Sequence, residues 1–447
     1  MGLIAMLAFV AILVVWSVFL KRNIAEGALI GFIAVSLLGG GKALNLIIEG
    51  LTFASTFSVI YAAVAFIFMA YVIDKVKIVE KLLNILNSMV GKLPGAPAIM
   101  DAFGSIALGT LSGGDAANTA STGSITGPWM VRDKWNREVA ATVLAGNGGL
   151  AGGLPPTTSM FIVLGFAPVA AAITTGEYYI ALLGAGAYQI LHRLIMIGYF
   201  VKKYNIKPVP AESMRPLKET LGKGWSAIFI YFGALIPLII TIGPFATYLT
   251  NILGDDTMSS IDIIMWIPTL MIVIALLIGK SHLPKTTKGW GSFIKESIPK
   301  FSVIGPLIFF AIATSQMMNQ LGLSQDITAL MNNVDIPVWI FVLLIGVMMT
   351  LAAGPLMQTG ALTAIGLVSY EALVSYGLDP LVAAVAIITF ASCSAQMPPV
   401  SGSIFIAAGL VDAKVEKMFS KLIIFYVLPV LLIGWLIGIG ILPIPGV

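Results

Sequence analysis

Two segments of the chain combine small polar residues with a pair of prolines at the same spacing. Asp115 precedes Pro155 by 40 positions, and Gln358 precedes Pro398 by 40 positions. Because proline removes a backbone donor and clashes with the preceding turn, each proline pair predicts a break in a helix. A break frees carbonyl groups upstream, which suit a cation, and N–H groups downstream, which attract an anionic group. Two such breaks at matching places in two hydrophobic halves indicate the binding site of a transporter.

The oxygen atoms of the two predicted breaks and of the two polar clusters predict a site for a coupling cation. Carbonyl, hydroxyl, amide and carboxylate oxygens together form a weak-field cage of the kind that suits Na⁺. The candidate cation-binding residues are Ser112, Gly114, Asp115, Asn118, Asn147, Gly149, Gly354, Gln358, Ser392 and Ser394.

Hydroxyl residues beside and after the breaks predict a substrate site. They lie where a half-helix begins, so their N–H groups and hydroxyls can receive an acid group. The candidate substrate-binding residues are Thr119, Pro156, Thr157, Thr158, Ser159, Thr359, Pro399, Ser401 and Ser403. Proline kinks and small hydroxyl residues are also common packing features of membrane helices. The pairing of the two segments at equal spacing favours the functional interpretation.

Asp115 is the sharpest single candidate. An acid at membrane depth costs roughly 2.5–3.5 kcal/mol on insertion scales, so it indicates function by default. It could bind a cation, carry a proton, or cap the second helix of a hairpin through the N–H groups of Ala117 and Asn118. By contrast, we expect Asp101 to be solvated or to pack, His192 to be a satisfied helix residue, and Cys393 to be a small packing residue.

The composition indicates a polytopic helical membrane protein. The chain is 58% hydrophobic and 10% charged, whereas globular domains average about 25% charged residues. Many apolar stretches approach the roughly 20 residues that cross a bilayer. One cysteine allows no intrachain disulfide, two histidines cannot form a metal cluster, and no phosphate loop or nucleophile motif is present. We therefore expect no enzyme activity, no organic cofactor and no metal beyond the coupling cation.

Charge placement predicts two inverted repeats in the prokaryotic cytoplasmic (inner) membrane. Lys and Arg cluster in loops that the positive-inside rule makes cytoplasmic, so both termini are predicted outside. Each repeat holds scaffold helices, an arm, a re-entrant hairpin and a broken helix. The predicted bounds are 1–201 for the first repeat (hairpin 1 about 95–131, broken helix about 138–172), 202–223 for a cytoplasmic linker, and 224–447 for the second repeat (hairpin 2 about 337–376, broken helix about 381–410).

Finer expectations concern the pieces between these features. The apolar N-terminus, Gly2–Leu20, is predicted to be a first membrane helix and not a removed signal. Asp74–Lys92 is predicted to be an amphipathic cytoplasmic arm, and Asn319–Ile336 an external arm. Trp225–Asn251 is predicted to cross once, and Lys280–Lys300 to be a cytoplasmic linker before a span at 301–318.

The chain resembles the large membrane subunit of the TRAP (tripartite ATP-independent periplasmic) transporters, within the ion transporter superfamily. The resemblance covers essentially the whole chain. It is carried by SGGDAANTASTGSITGPWM, WNREVAATVLAGNGGLAGGLPPTTSMFIVLG, GLDPLVAAVAIITFASCSAQMPPVSGSIFIAAGL and the tail VEKMFSKLIIFYVLPVLLIGWLIGIGILPIPGV. It implies an all-α, elevator-type transporter in which two hairpins and two broken helices move against a scaffold. It also implies Na⁺ symport of an organic anion, a solute-binding protein outside the cytoplasm, and a small four-helix membrane subunit.

Three departures from the family pattern keep alternatives open. Many relatives carry an acid at the positions of Asn118 and Gln358, so H⁺ is an alternative coupling ion. Neither hairpin tip nor break contains Lys or Arg, so an acid group would rely on helix N-termini and hydroxyls. No small-subunit segment is fused, so that subunit is expected as a separate chain or absent. The alternatives are a stand-alone carrier or cation/proton exchanger on the same scaffold, an assembly protein, and a channel.

Overall fold

The computed structural model describes residues 1–112, 115–207, 216–241, 243–254, 257–258, 260–331, 335–399 and 401–447. Within these ranges the protein is helical and contains no strand, because backbone groups in lipid must pair within their own segment. In the first half the helices are α1 (Gly2–Val14), α2 (Ile24–Leu38), α3 (Ala43–Thr56), α4 (Ser58–Lys75), α5 (Ile78–Val90), α6 (Ala96–Ser112), α7 (Asp115–Arg132), α8 (Arg137–Gly148), α9 (Leu150–Gly153), α10 (Thr158–Leu164), α11 (Ala167–Ala172) and α12 (Thr175–Lys203).

The second half is also built from helices and short helical turns. Its helices are α13 (Leu217–Gly224), α14 (Phe232–Thr241), α15 (Pro244–Leu253), α16 (Ile263–Ile278), α17 (Thr287–Gln320), α18 (Leu323–Met331), α19 (Val338–Ala361), α20 (Leu367–Ser375), α21 (Pro380–Ala391), α22 (Gly402–Val411), α23 (Glu416–Leu422) and α24 (Leu428–Gly438).

Several of these helices can cross a membrane by length and composition. Five segments qualify, or six when the bent pair within α17 counts as one span. The five are Ser58–Lys75, Thr175–Lys203, Leu217–Thr241, Val338–Ser375 and Glu416–Gly438. Shorter apolar helices, including Gly2–Ser17 and Ile24–Leu38, accompany them. The prediction of an all-α polytopic membrane protein is confirmed.

Two pairs of helices fold back on themselves as hairpins. In hairpin 1, α6 packs along α7. In hairpin 2, α19 packs along the π-helical turn Leu362–Gly366 and α20. The tip of hairpin 2 is marked by Met357, whose φ of +62° interrupts the helical backbone. Because an L-residue rarely adopts positive φ, the turn at Met357 is a genuine change of direction between two helical arms.

Both proline pairs lie in gaps between two half-helices. The first broken helix consists of α8 and α9, an irregular stretch at Leu154–Thr157, and α10. The second consists of α21, a 3₁₀ turn at Ser392–Gln396, and α22. The second proline of each pair follows a cis peptide bond. Proline explains both gaps, since it cannot donate to the preceding turn.

The two halves exchange their packing partners at the centre of the molecule. Hairpin 1 and α8 share an apolar core with α22, which follows the second break. Conversely, α10, which follows the first break, packs on hairpin 2 at α19 and Leu362–Gly366. Burial of these apolar faces therefore brings both hairpin tips and both breaks together.

One local expectation is refined and another is wrong. The predicted linker at 280–300 is helical from Thr287, where the Thr286 side chain caps α17. The helix bends by 50° between Pro299 and Ile304, which agrees with a separate span at 301–318. The predicted single crossing at 225–251 is divided, because α14 ends at Thr241 and α15 begins only after Gly243, whose φ is +87°. Glycine tolerates that conformation, so the change of direction occurs there.

The helix α18 ties the N-terminus to the body of the protein. Asp326 accepts hydrogen bonds from the Leu3 N–H at 3.0 Å and from the N-terminal amine at 2.9 Å. These hydrogen bonds hold the pKa of Asp326 below its usual value. The bond from the Leu3 N–H has the larger effect, and the bond from the N-terminal amine adds to it. Because this contact spans the chain from its first residues to α18, it fixes α1 against the second half.

Candidate functional site

Three amide side chains satisfy backbone carbonyl groups that the first break leaves free. They come from hairpin 1, from the tip of hairpin 2 and from the second break, so three separate elements converge on one strip of backbone. The pairs are Asn118 Nδ2 with the Gly148 oxygen (3.1 Å), Gln358 Nε2 with the Gly152 oxygen (2.8 Å) and Gln396 Nε2 with the Gly146 oxygen (3.0 Å).

Glycine at the first break permits this close approach. A Cβ atom at Gly149 would overlap the Gln396 side chain, and one at Gly152 would overlap Gln358. The Gln396 and Gln358 side chains contact the backbone at these glycines, where a residue with a Cβ atom would push them away. The glycines therefore let the amide groups reach the backbone carbonyls, and they also allow the chain to unwind.

The Asp115 carboxylate connects hairpin 1 to the second break. It is 9% exposed, stands at the first turn of α7, and accepts a hydrogen bond from the Ser394 hydroxyl. Gln358, at the same distance before its own proline pair, bonds to the first break instead. Each hairpin tip thus contacts the break that belongs to the other half of the chain.

Several oxygen atoms around this junction have no hydrogen-bond donor within the described residues. They are the side-chain amide oxygens of Asn118, Asn147 and Gln396. All three side chains are fully buried. An unpaired buried acceptor is costly, and a bound cation is one partner that satisfies several such oxygens at once. Together with the Asp115 carboxylate, they supply the ligand type that Na⁺ takes.

A second acid, Asp101, lies behind the site within hairpin 1. It is fully buried and accepts hydrogen bonds from Thr126 and from Asn147 Nδ2, each at 2.9 Å. No ion pair reaches it in the described part of the chain. The solvated role considered for it is excluded, and its hydrogen bonds orient the Asn147 amide.

The candidate substrate hydroxyls fall into two groups that are not bonded to each other in the residues the structure describes. Thr157 caps α10 through the Met160 N–H at 3.2 Å, and Thr158 and Ser159 are buried beside it. Ser401 donates to the Ala395 oxygen at 2.9 Å, while the buried Ser403 hydroxyl has no hydrogen-bond partner among the described residues. That the two groups together form one substrate-binding surface stays a prediction.

The other predicted residues occupy varied positions. Thr119 donates to the Asp115 carbonyl at 2.9 Å, and Ser392 donates to Thr389 at 2.7 Å and to Gln189 at 3.3 Å. Pro156 and Gly354 are buried, Thr359 is half-buried, and Pro399 is exposed. Gly114 and the side chain of Ser112 lie outside the described residues.

The structure adds four residues that the sequence analysis did not select: Gln189, Arg193, Gln396 and Tyr426. Gln396 lies beside the second proline pair and could have been found there. Arg193 stands within the apolar segment 180–201, where an ionisable residue indicates function by the same rule that selected Asp115. Gln189 and Tyr426 carry no comparable signal, because their relevance depends on which helices pack together.

Comparison with known proteins places the whole chain in one family. The family described as "Tripartite ATP-independent periplasmic transporter, DctM component" matches residues 3–443. The isethionate TRAP permease DctMQ of Oleidesulfovibrio alaskensis is 23% identical over 361 residues, which are 77% of this chain and 51% of that protein. The chain thus spans about half the length of that relative.

Other relatives support the same family. The C4-dicarboxylate large permease DctM of Pseudomonas aeruginosa is 21% identical over 333 residues, covering 74% of this chain and 73% of that protein. The ectoine large permease TeaC of Halomonas elongata is 25% identical over 224 residues, covering 49% and 48%. These relatives are transporter permeases, which confirms that the protein is not an enzyme.

Two solved structures share the fold. The YdaH transporter of Alcanivorax borkumensis superposes with a TM-score of 0.62 at 14% identity, covering 90% of this chain and 89% of that one. MtrF of Neisseria gonorrhoeae gives a TM-score of 0.59 at 15% identity, covering 88% and 83%. Both are membrane transporters in which the same helical architecture occurs. The chain belongs to the DctM family, the large membrane subunits of the TRAP transporters.

Proposed function

We propose that this protein imports an organic acid across the inner membrane by Na⁺ symport, as the large permease subunit of a TRAP system. The observation that carries the proposal is the junction at the first break. There Asp115 is buried with three amide oxygens that have no hydrogen-bond donor within the residues that the structure describes. Buried oxygens without donors are a feature that a stable, purely structural core would avoid.

The cation site would be formed mainly by the first break and hairpin 1. Asp115 supplies the charge. The Asn118 amide oxygen comes from the same helix, α7, and the Ser394 hydroxyl comes from the second break, which contacts Asp115. The Gly148 carbonyl keeps a second lone pair beyond its bond to Asn118. This set contains only oxygen ligands and a single full charge, which suits Na⁺ better than a divalent ion.

An elevator movement is supported by the division of the packing. Hairpins 1 and 2, the broken helices, α12 and α24 are interleaved through the exchanged contacts at the breaks. The helices α1–α4, α14, α16 and α17 pack mainly with one another. We infer that the first group moves as a unit and carries the site, while the second group is the scaffold.

The names of relatives in the family support the proposed substrate, and the family itself supports the proposed partners. The names of the relatives mention isethionate, C4-dicarboxylates and ectoine, and each of these compounds carries an ionised acid group. We therefore propose an organic acid as substrate. A solute-binding protein outside the cytoplasm would deliver it, and a small four-helix membrane subunit would brace the scaffold.

The first test is the thermal stability of the purified protein across a Na⁺ titration, with K⁺ or choline holding ionic strength constant. A ligand that binds only the folded state stabilises it by RT ln(1 + [L]/Kd). We expect a rise in the unfolding midpoint with Na⁺ that K⁺ does not reproduce. In proteoliposomes with the partner subunits, uptake that ignores an imposed Na⁺ gradient would contradict the proposal.

A second candidate is a cation/proton exchanger on the same scaffold. The observation that favours it is that Asp101 and Asp115 are both buried carboxylates with no ion pair in the described residues. Such a group can carry a proton across the membrane. Proton flux through the protein alone, without an organic substrate or partner subunit, would favour the exchanger over the symporter.

A further inference from the structure

A positively charged side chain lies fully buried inside the molecule, and no acid among the described residues pairs with it. Arg193, on the long helix α12, has no exposed surface. Its guanidinium stacks on the Tyr426 ring at 4.8 Å from the centroid, and Nη1 lies 2.7 Å from His192 Nδ1. None of the ion pairs found among the described residues includes it. A buried charge without compensation is strongly unfavourable, so its environment is incomplete.

The unused donors of Arg193 form one edge of the guanidinium. Nε and Nη2 have no hydrogen-bond acceptor in the described part of the chain. These two nitrogen atoms lie side by side in the planar guanidinium, and they are one of its two-donor forks for a carboxylate. The orphaned atoms are therefore the pair that binds both oxygens of one acid group, and not two unrelated donors.

A third unused donor lies one helical turn away on the same face. Gln189 is four residues before Arg193, is 1% exposed, and its Nε2 has no acceptor among the described residues. The Gln189 amide oxygen lies 3.3 Å from the Ser392 hydroxyl, whose shorter hydrogen bond goes to the Thr389 carbonyl at 2.7 Å. Three buried N–H donors on one helix face, with no acceptor, indicate an anionic ligand.

The same donors stand beside both breaks. A Cβ at Gly153 would lie 2.5 Å from Gln189 Nε2, so this amide touches the backbone of the first break. Ser392, its other neighbour, belongs to the second break. The Tyr426 ring, on which the Arg193 guanidinium stacks, packs against Gly146 on α8. The donors thus lie next to the segments proposed to bind substrate, on a helix that neither motif includes.

We propose that Arg193 and Gln189 form a buried anion site, in which the Nε/Nη2 edge of Arg193 receives two oxygens of an acid group and Gln189 Nε2 donates to one of them. The inference rests on the proposed function only in taking the substrate as one source of that group. A small inorganic anion from solution is the other source. The site supplies the positive charge that the hairpin tips and breaks lack.

The test measures the thermal unfolding midpoint at constant Na⁺ while the anion changes. Sodium formate and sodium chloride are titrated separately against a sodium–HEPES reference. We expect a saturable rise with formate in the wild type. The Arg193→Lys variant keeps the charge but loses the planar fork, so it should require at least about tenfold more formate. Gln189→Leu should require about threefold to tenfold more.

Two controls separate the anion site from general effects. Lys203→Met removes an exposed cation from the same helix and should leave the formate response unchanged. The Na⁺ response, measured against K⁺ in HEPES, should persist in Gln189→Leu, which shows that the variant is folded. This response also tests the symport proposal independently of the anion site.

Each outcome of these titrations either supports the proposed anion site or contradicts it. An Arg193-dependent rise with formate but not chloride supports a site for carboxylates, and hence for substrate. An equal Arg193-dependent rise with both salts supports an anion site filled by inorganic ions. No anion dependence, or a response that Arg193→Lys and Gln189→Leu leave unchanged, overturns the proposal, whether or not Na⁺ stabilises the protein.

Discussion

The two breaks share a proline pair but differ in what surrounds them. Around the first break and hairpin 1, the buried side chains include two carboxylates and several amides beside apolar residues. At the corresponding distances from Gln358 and the second proline pair, the chain has apolar residues. Asp101, Asn118 and Asn147 in the first half correspond to Leu344, Ala361 and Phe390 in the second.

The two regions also differ in exposure. Residues 150–164, including Pro155 and Pro156, are buried throughout, whereas Pro398 is half-buried and Pro399 is exposed. In the second half, the position that corresponds to Asn147 is occupied by the buried Phe390. Glycines at 346 and 434 make room for that ring, since a Cβ at either would approach it to 2.6 or 2.7 Å. A shared backbone break therefore does not imply shared ion chemistry, because the neighbouring side chains decide it.

The largest expected effect tests how tightly the first break is packed. In Gly146→Ala the new methyl group would overlap the buried Tyr426 ring. Because a rigid ring cannot move aside, we expect a loss of about 3 kcal/mol, the upper range for overpacking. The corresponding residue in the second half, Thr389, already carries a side chain, and Thr389→Ala should cost about 1 kcal/mol. The measurement is the unfolding free energy in detergent.

Gly198→Ala on α12 is the matched control for that pair, since nothing lies within 4 Å of the place that its new methyl group would occupy. It should be neutral or slightly stabilising. A tolerated alanine at Gly146 would show that the first break is no more tightly packed than the second.

The next effect concerns the polar cluster itself. Asn147→Leu removes the donor to Asp101 and leaves a buried carboxylate oxygen unsatisfied, which should cost about 2 kcal/mol or more. The matched change in the second half, Phe390→Leu, removes only apolar volume and should cost about 1 kcal/mol. Both are measured as unfolding free energies in the same detergent. Equal losses, or a larger loss for Phe390→Leu, would mean that the buried polar groups are not under special constraint.

A smaller but more specific effect is expected at the hairpin tips. Asp115→Asn keeps the shape of the side chain but removes its charge, so the Na⁺ concentration needed for stabilisation should rise about tenfold, equivalent to about 1.4 kcal/mol. Gln358→Leu, at the tip of hairpin 2, loses one hydrogen bond and should lower stability while leaving Na⁺ selectivity intact. Both are read from Na⁺ titrations of thermal stability. Unchanged Na⁺ dependence in folded Asp115→Asn would limit Asp115 to a structural role.

The smallest effects are expected from the hydroxyls. Thr157→Ala removes a helix cap and should cost about 1 kcal/mol. Ser401→Ala removes one bond to a backbone oxygen and should cost about 0.5–1 kcal/mol. Neither should alter Na⁺ dependence, because the proposed cation ligands are elsewhere. A loss of Na⁺-dependent stabilisation in either variant would move the cation site toward the half-helix starts.

Much of the fold could be predicted from local physics. Hydropathy indicates membrane helices because lipid offers no partner for a free backbone group. Proline pairs predict breaks because proline cannot donate, and this holds whatever surrounds them. Polar or charged runs are harder to assign from sequence. Thr287–Pro299 is helical despite its lysines, because Thr286 caps the start of α17.

The candidate site could be predicted only in part. Asp115, Asn118, Asn147 and Gln358 are selected from the sequence because they lie in or near the motifs, and their role in binding a cation stays a prediction. Asp101 was discounted, since a sequence does not show that Thr126 and Asn147 enclose it. Gln189 and Arg193 were missed because they reach the breaks from another helix. Their partners lie about 200 residues away along the chain at Ser392 and Tyr426.

The sequence by itself determined the family, the helical membrane class and the positions of the breaks, because hydropathy, proline and the distinctive motifs act locally. Only the tertiary structure decided which groups meet. It placed the Asp115 carboxylate on Ser394 of the other half, three amides on the carbonyls of the first break, and Arg193 beside both breaks. Such contacts depend on how apolar faces bury against one another, and residues distant in sequence become neighbours only through that packing.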